Sequence, residues 1–215
     1  MILCNKLPSC NQAFIGRKDE IKAIASHLSN QSVLFITGMA GIGKSEVAKA
    51  YAQKNRKKYT NIIYLYYTGD LRKDIANLTF ADDSVEMNEE VRFQNHYKVM
   101  QRLHTDTLLI LDNFNVLPKD EPFLKELMKN DMQLLITSRC KLKNYDSIEI
   151  KELDKDKELK ELFYKHCPSA KRDPDSVSAI IEEVNCHTLT VCMAALTLEV
   201  SGMEPEELLQ KLRSC

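Results

Sequence analysis

Four short, uninterrupted apolar runs govern what this chain can fold into. They are Val33–Ile36, Ile62–Tyr67, Leu108–Leu111 and Leu134–Thr137. None alternates with polar residues, so each reads as a strand covered on both faces. A weaker alternating stretch, Ser147–Ile150, reads as an edge strand. Helical patterns at 17–29, 43–57, 86–104 and 121–130 separate the runs. Strand and helix in alternation predict a parallel sheet wrapped by helices. Past residue 152 the strand signals stop, and 155–166, 175–185, 188–201 and 204–213 all read as helices. Asp173-Pro174-Asp175 and Gly202 punctuate them. The expected organisation is an α/β domain over 1–152 and a small all-helical domain over 153–215. No internal repeat is visible.

The first apolar run leads into Gly38-Met39-Ala40-Gly41-Ile42-Gly43-Lys44-Ser45, which fits G-x-x-x-x-G-K-[ST]. The pattern is informative only between a strand and a helix. Here VLFIT precedes it, and SEVAKAYAQK follows with Val47, Ala48, Ala50 and Tyr51 at helical spacing. Gly38, Gly41 and Gly43 allow the backbone to curl so that successive N–H groups face one anion. The helix N-terminus adds unpaired donors. Lys44 brings a mobile charge to β- and γ-phosphates, and the Ser45 hydroxyl can ligate Mg²⁺. Met39, Ala40, Ile42 and Glu46 complete the candidate nucleotide-contact set around these residues.

Asp112 ends the third run, where an acid can hold Mg²⁺ through water. The alternative is a strand-ending Asp that opens a turn. The fourth run ends in Thr137-Ser138-Arg139. If that strand lies between the first and third, Arg139 can sense a γ-phosphate while Thr137 or Ser138 bonds it or the attacking water. The alternative is a surface arginine after a strand.

Composition narrows the classes. The 215 residues carry a formal net charge of -1, against non-specific nucleic-acid binding as the main task. The basic run Lys54–Lys58 reads as a solvated helix end. No apolar run approaches the roughly 20 residues of a membrane span, and the N-terminus lacks the marks of a signal peptide, so the expected location is the cytoplasm. Seven irregularly spaced cysteines suit free thiols in a reducing compartment. His166-Cys167 and Cys186-His187 do not have the spacing of a structural zinc site.

The ordered set FIGRKDE (14–20), GMAGIGKS, LLILDN, LLITSR and CHTLT (186–190) resembles the STAND class of P-loop ATPases and its NB-ARC subgroup. These are nucleotide switches of apoptotic scaffolds, plant immune receptors and bacterial regulators. The resemblance covers nearly the whole chain. It implies a five-stranded parallel sheet, with the Arg139 strand between those carrying Lys44 and Asp112, and a helical domain packed over an adenine nucleotide. It places Phe14 and Ile15 against adenine, with Arg17 close to the nucleotide. Gly41, Gly43, Lys44 and Ser45 take the phosphates and Mg²⁺. Asp112 becomes the magnesium acid and Arg139 the first sensor arginine. CHTLT stands for the family's Gly-Leu-Pro-Leu-Ala segment, with Thr188 and Leu189 near the base.

Three departures modify this. Asn113 stands where the family often has a second acid; an amide can orient water but cannot take its proton. Thr188 replaces the proline that usually touches the base. The chain also stops where the family continues into a winged-helix domain, so a fragment of a longer protein is expected, its further winged-helix and sensor domains being partners. Nucleic acid would then be met only through parts outside this chain. The implied function is a Mg-ATP/ADP-binding switch with weak ATPase activity, its nucleotide state controlling domain arrangement and assembly, including nucleotide-dependent homo-oligomers. The alternative is an AAA+-like work-performing ATPase. A small-molecule kinase is disfavoured because 113–130 contains no arginine, and a non-binding adaptor because Lys44 and Asp112 are both intact. The guanine-selecting motif of GTPases is also missing: the nearest stretch, Leu153-Asp154-Lys155-Asp156, lacks its Asn or Thr.

Overall fold

The computed structural model describes residues 7–81, 83–84, 86–140 and 142–214. Two of the seven cysteines, Cys4 and Cys215, lie outside this range; among the described residues Cys10, Cys140, Cys167, Cys186 and Cys192 form no disulfide. The chain divides into two compact units. One comprises Asp19–Gly38 and Lys44–Glu149 with the segment ending at Cys10; the other comprises Asn11–Lys18, Met39–Gly43 and Ile150–Cys215. The second unit therefore also takes up two short pieces that precede residue 150, one of them the middle of the glycine-rich loop.

The first unit is built on five parallel strands: β1 (Val33–Thr37), β2 (Asn61–Tyr66), β3 (Thr107–Asp112), β4 (Gln133–Ser138) and β5 (Ser147–Glu149). Their spatial order is β2-β3-β4-β1-β5. The sheet is thus the five-stranded P-loop arrangement, with β4 between β1 and β3 and the short β5 at an edge. Every residue of β3 and β4 is buried, as uninterrupted apolar runs require. β2 alternates instead, with Ile63 and Leu65 buried and Tyr66 exposed. It is the other edge strand.

Alternate strand residues feed two layers. Phe35, Ile63, Leu65, Leu109, Leu111, Leu134 and Ile136 join a core with α3 (Leu71–Ala76), α4 (Glu89–Met100) and α5 (Pro122–Leu127). α2 (Lys44–Lys54) packs over β1, β3 and β4, burying Val47, Ala48 and Tyr51 completely. α1 (Lys18–His27) turns Ile21 and Ile24 inward.

The helices differ from expectation where local chemistry cuts them short. The predicted 86–104 helix spans only Glu89–Met100, opened by Asn88, whose side chain accepts from Val91 N. Of its apolar residues, Phe93 and Met100 are buried, whereas Val91 is exposed; α4 packs chiefly on α3. His96 is fully buried and was not anticipated. The pattern at 121–130 yields only Pro122–Leu127, with Glu121 capping Phe123 N and proline in the first turn. α3 itself went unpredicted. Its two turns are too short for a period to register, but Asp70 caps Arg72 N and Lys73 N, and Leu71 and Ile75 face inward.

The helical unit contains α6 (Lys160–His166), α7 (Pro174–Glu183), α8 (Thr188–Ser201) and α9 (Pro205–Arg213). Lys155–Leu159 forms a wider π turn leading into α6, so the expected 155–166 helix is not uniform. Asp173 caps α7, and Gly202 at φ +66° ends α8. Its core gathers Leu159, Phe163, Val177, Ile180, Ile181, Val191, Ala195 and Leu198, joined by Ala13 and Ile15. Among the described residues no helix is long and apolar enough to cross a membrane.

Candidate functional site

The glycine-rich loop connects β1 to α2 with three left-handed or related turns: Gly38 at φ +144°, Gly41 at +72° and Gly43 at +102°. At Gly41 the constraint is double. A Cβ there would lie 2.7 Å from His187 Cε1 and 2.9 Å from Leu189 Cβ, so neither the backbone angle nor the space admits a side chain. Three carbonyls of the loop are held by basic side chains. Lys44 Nζ donates to Gly38 O at 2.9 Å, His187 Nε2 to Ala40 O at 2.7 Å and Arg17 Nη2 to Ile42 O at 3.2 Å. Arg17 is buried and itself left-handed, at φ +58° directly after Gly16.

Asp112, at the carboxyl end of β3, is 3% exposed and accepts three hydroxyl hydrogens. Ser45 Oγ donates to Oδ1 at 2.7 Å, Thr137 Oγ1 donates to the same oxygen at 2.5 Å, and Tyr64 OH donates to Oδ2 at 2.5 Å. The sheet explains the convergence. β2 and β3 pair Tyr66 with Asp112 and Tyr64 with Ile110, so Tyr64 shares the face of Asp112 two residues back. Burial and the bond to Asp112 push the Tyr64 hydroxyl far above the ordinary tyrosine range, so it remains a donor. Tyr64 was missed from sequence because it sat inside an apolar run; only the period-2 relation to the strand end marks it.

Lys44 is buried at the start of α2. Burial lowers its pKa from the ordinary 10.5, the Arg139 charge lowers it further, and Asp112 offsets part of the shift. Two cations therefore repel each other where a phosphate anion would relieve both. Arg139 is exposed, and its backbone N–H donates to Asn115 Oδ1 at 2.9 Å.

Thr137 and Ser138 are placed otherwise than as phosphate contacts. Thr137 is buried, bonded to Asp112 and accepting from Asn113 N; Ser138 is fully buried, its Oγ accepting from Cys140 N. Asn113 adopts φ +67°, a region Asn tolerates better than most side chains. Its amide is engaged at both ends: Nδ2 donates to Tyr67 O at 3.4 Å, and Oδ1 accepts from Asn115 Nδ2 at 2.5 Å.

The remaining expected contacts divide. Ile15 lies in the core of the helical unit, while Phe14 beside it is partly exposed. Met39 and Leu189 are exposed by 56% and 50%. Glu46 accepts from Lys49 Nζ at 2.8 Å. The Thr188 hydroxyl is buried without a partner among the described residues. The sequence marks His187 only as a neighbour of Cys186 without zinc-site spacing and as the second position of CHTLT; its contact with the loop carries no sequence signal.

This donor set fits a nucleotide with its metal. Ser45 Oγ and the Asp112 carboxylate already meet at the helix N-terminus beside Lys44. They would hold Mg²⁺, directly and through water respectively, and the ion would neutralise phosphate charge.

A family model described as an AAA domain matches residues 26–143, over half of the chain. No curated protein matches the sequence. Among solved structures, a Walker-type ATPase of Pyrococcus abyssi superposes with a TM-score of 0.68 at 10% identity, covering 96% of this chain and 73% of that one. A variant of Thermotoga maritima RuvB superposes at 0.56 with 15% identity, covering 96% and 72% respectively. At such identities the likeness concerns the fold, a P-loop sheet carrying a helical region. The family match, the loop ending in Lys44-Ser45 and its link to Asp112 lead to one assignment: this chain is a P-loop ATPase-type protein and belongs to the AAA domain family.

Proposed function

We propose that this chain is a Mg-ATP/ADP-binding switch module of the STAND/NB-ARC type, in which hydrolysis is slow and the nucleotide state governs the arrangement of the two units and assembly. The observation that carries the reading is the state of Asn113. It occupies the position after Asp112 where a base would activate water, yet it is an amide bonded to Tyr67 O and Asn115. Such a residue removes no proton from water. With nucleotide bound, the loop N–H groups and Lys44 would cradle the phosphates, Ser45 and Asp112 would hold the metal, and Arg139 would meet a γ-phosphate only when one is present. That differential contact is what allows ATP and ADP to favour different forms. Phe14, Ile15, Thr188 and Leu189 are assigned to the nucleotide's base side, and Arg17 to the loop whose Ile42 carbonyl it holds.

The AAA domain match favours a second reading, a work-performing ATPase, and the two differ in turnover. Mixing excess Mg-ATP with the protein and following phosphate release separates them. A switch yields at most about one phosphate per chain, with ADP retained; a motor sustains turnover on the order of one per second or more.

A further inference from the structure

We propose that His187 is a positioning residue for the phosphate loop, acting on the phosphate end of the ligand and not on its base. The inference rests on the nucleotide-binding reading above. A carbonyl can only accept, so His187 Nε2 carries the hydrogen it gives to Ala40 O at 2.7 Å. Nδ1 pairs with the Thr190 hydroxyl at 2.8 Å, accepting from it in the neutral ring. The ring is thereby fixed at both nitrogens, and its second anchor lies in the first turn of the fourteen-residue helix α8.

The loop is shaped to receive it. Gly41 is the residue whose missing Cβ leaves room for the imidazole edge and for Leu189. Arg17 holds the next alternate carbonyl, Ile42 O. Within one planar trans peptide the C=O and the following N–H point in opposite directions. Holding the carbonyls of Ala40 and Ile42 therefore turns the N–H groups of Gly41 and Gly43 away from His187 and Arg17, as an anion nest requires. A loop fixed in this way loses less freedom when phosphate binds, which strengthens binding without any direct contact between His187 and the ligand.

This role predicts that His187 acts on any ligand with adjacent phosphates, whether or not it has a base. The test is titration of ADP and of inorganic pyrophosphate into the parent chain and its His187→Ala and His187→Gln variants, with melting curves alongside. Loss of one hydrogen bond weakens both ligands roughly two- to tenfold in His187→Ala. His187→Gln, whose amide can still donate to Ala40 O, stays near the parent. If His187→Ala lowers the melting temperature, Thr190→Val is read in its place, with a smaller weakening of both ligands expected. Weakening of ADP alone would make His187 a base contact and overturn the proposal. Unchanged affinity for both ligands, no recovery in His187→Gln, or a parent that binds ADP but not pyrophosphate would each overturn it as well. A parent that binds neither ligand contradicts the nucleotide-binding reading itself.

Discussion

Ser45 Oγ and Asp112 Oδ1 lie 2.7 Å apart although 67 residues of chain separate them. The parallel sheet makes the meeting inevitable, since β1 and β3 flank β4 and deliver their carboxyl ends to one edge. Tyr64 and Thr137 supply the other two hydroxyls that fix the carboxylate. Asp112→Asn is expected to abolish the Mg²⁺-dependent gain in ADP affinity. Tyr64→Phe should reduce that gain by about tenfold, as loss of a bond orienting a metal ligand typically does. Calorimetric titrations with Mg²⁺ and with chelator check this; affinity in chelator should be unchanged by Tyr64→Phe.

The depressed pKa of Lys44 gives a pH dependence of definite sign. Burial and the Arg139 charge make the free protein release the Lys44 proton below the ordinary 10.5. Only the cationic form pairs with phosphate, so bound nucleotide raises the pKa again. ADP affinity should fall as pH rises through the depressed value, and binding in that window should take up a proton. Titrations in two alkaline buffers of different ionisation heat measure the uptake; a release of protons would contradict the assignment.

Arg139 should distinguish triphosphate from diphosphate. Arg139→Ala is expected to weaken ATP by roughly tenfold, in line with a charge-assisted bond, while ADP changes little. Relief of the charge that lowers Lys44 should shift its titration upward in the same variant. Equal loss for both nucleotides would remove Arg139 from the γ-phosphate role.

A stability prediction concerns His96, buried in α4. Nδ1 faces Ile75 O at 2.9 Å and Nε2 faces Asp83 Oδ1 at 2.8 Å. The ring thus bridges the α3 backbone and the Asp83 carboxylate. For Asp83, burial would raise the pKa, but the bonds from His96 and Phe80 N and the charges of His96 and Arg92 outweigh it, so the net shift is downward. A lowered carboxyl pKa contributes stability above the ordinary value of 3.8, lost as pH falls through the depressed one. His96→Leu should cost about 1–3 kcal/mol at neutral pH, because Ile75 O and the half-buried Asp83 carboxylate each lose a hydrogen-bond partner. Denaturant unfolding should show that cost shrinking in acid.

β3 and β4 were legible because burial on both faces leaves an uninterrupted apolar run, a one-dimensional signal, whereas the equally apolar run of β2 hid that it is a half-exposed edge strand. The loop was legible for a related reason: glycines at set spacing and Lys44-Ser45 are contiguous in the chain. The parts that escaped are three-dimensional. Tyr64 acts through a diagonal cross-strand relation, and His187 reaches Ala40 across 147 residues. The end of β4 marks Thr137 and Ser138 as candidates for a γ-phosphate or the attacking water, but both are buried, Thr137 bonded to Asp112 and Ser138 to Cys140 N. α3 was lost because a six-residue helix has too few turns to show a period, though Asp70 announced its start.

The most direct test is the nucleotide carried by the purified protein, released by denaturation and identified by chromatography, beside Lys44→Ala. The account predicts about one ADP per chain in the parent and none in a Lys44→Ala protein whose melting curve shows it to be folded. A parent that is empty and stays empty after incubation with Mg²⁺ and ADP, or one that carries a guanine nucleotide, would contradict it.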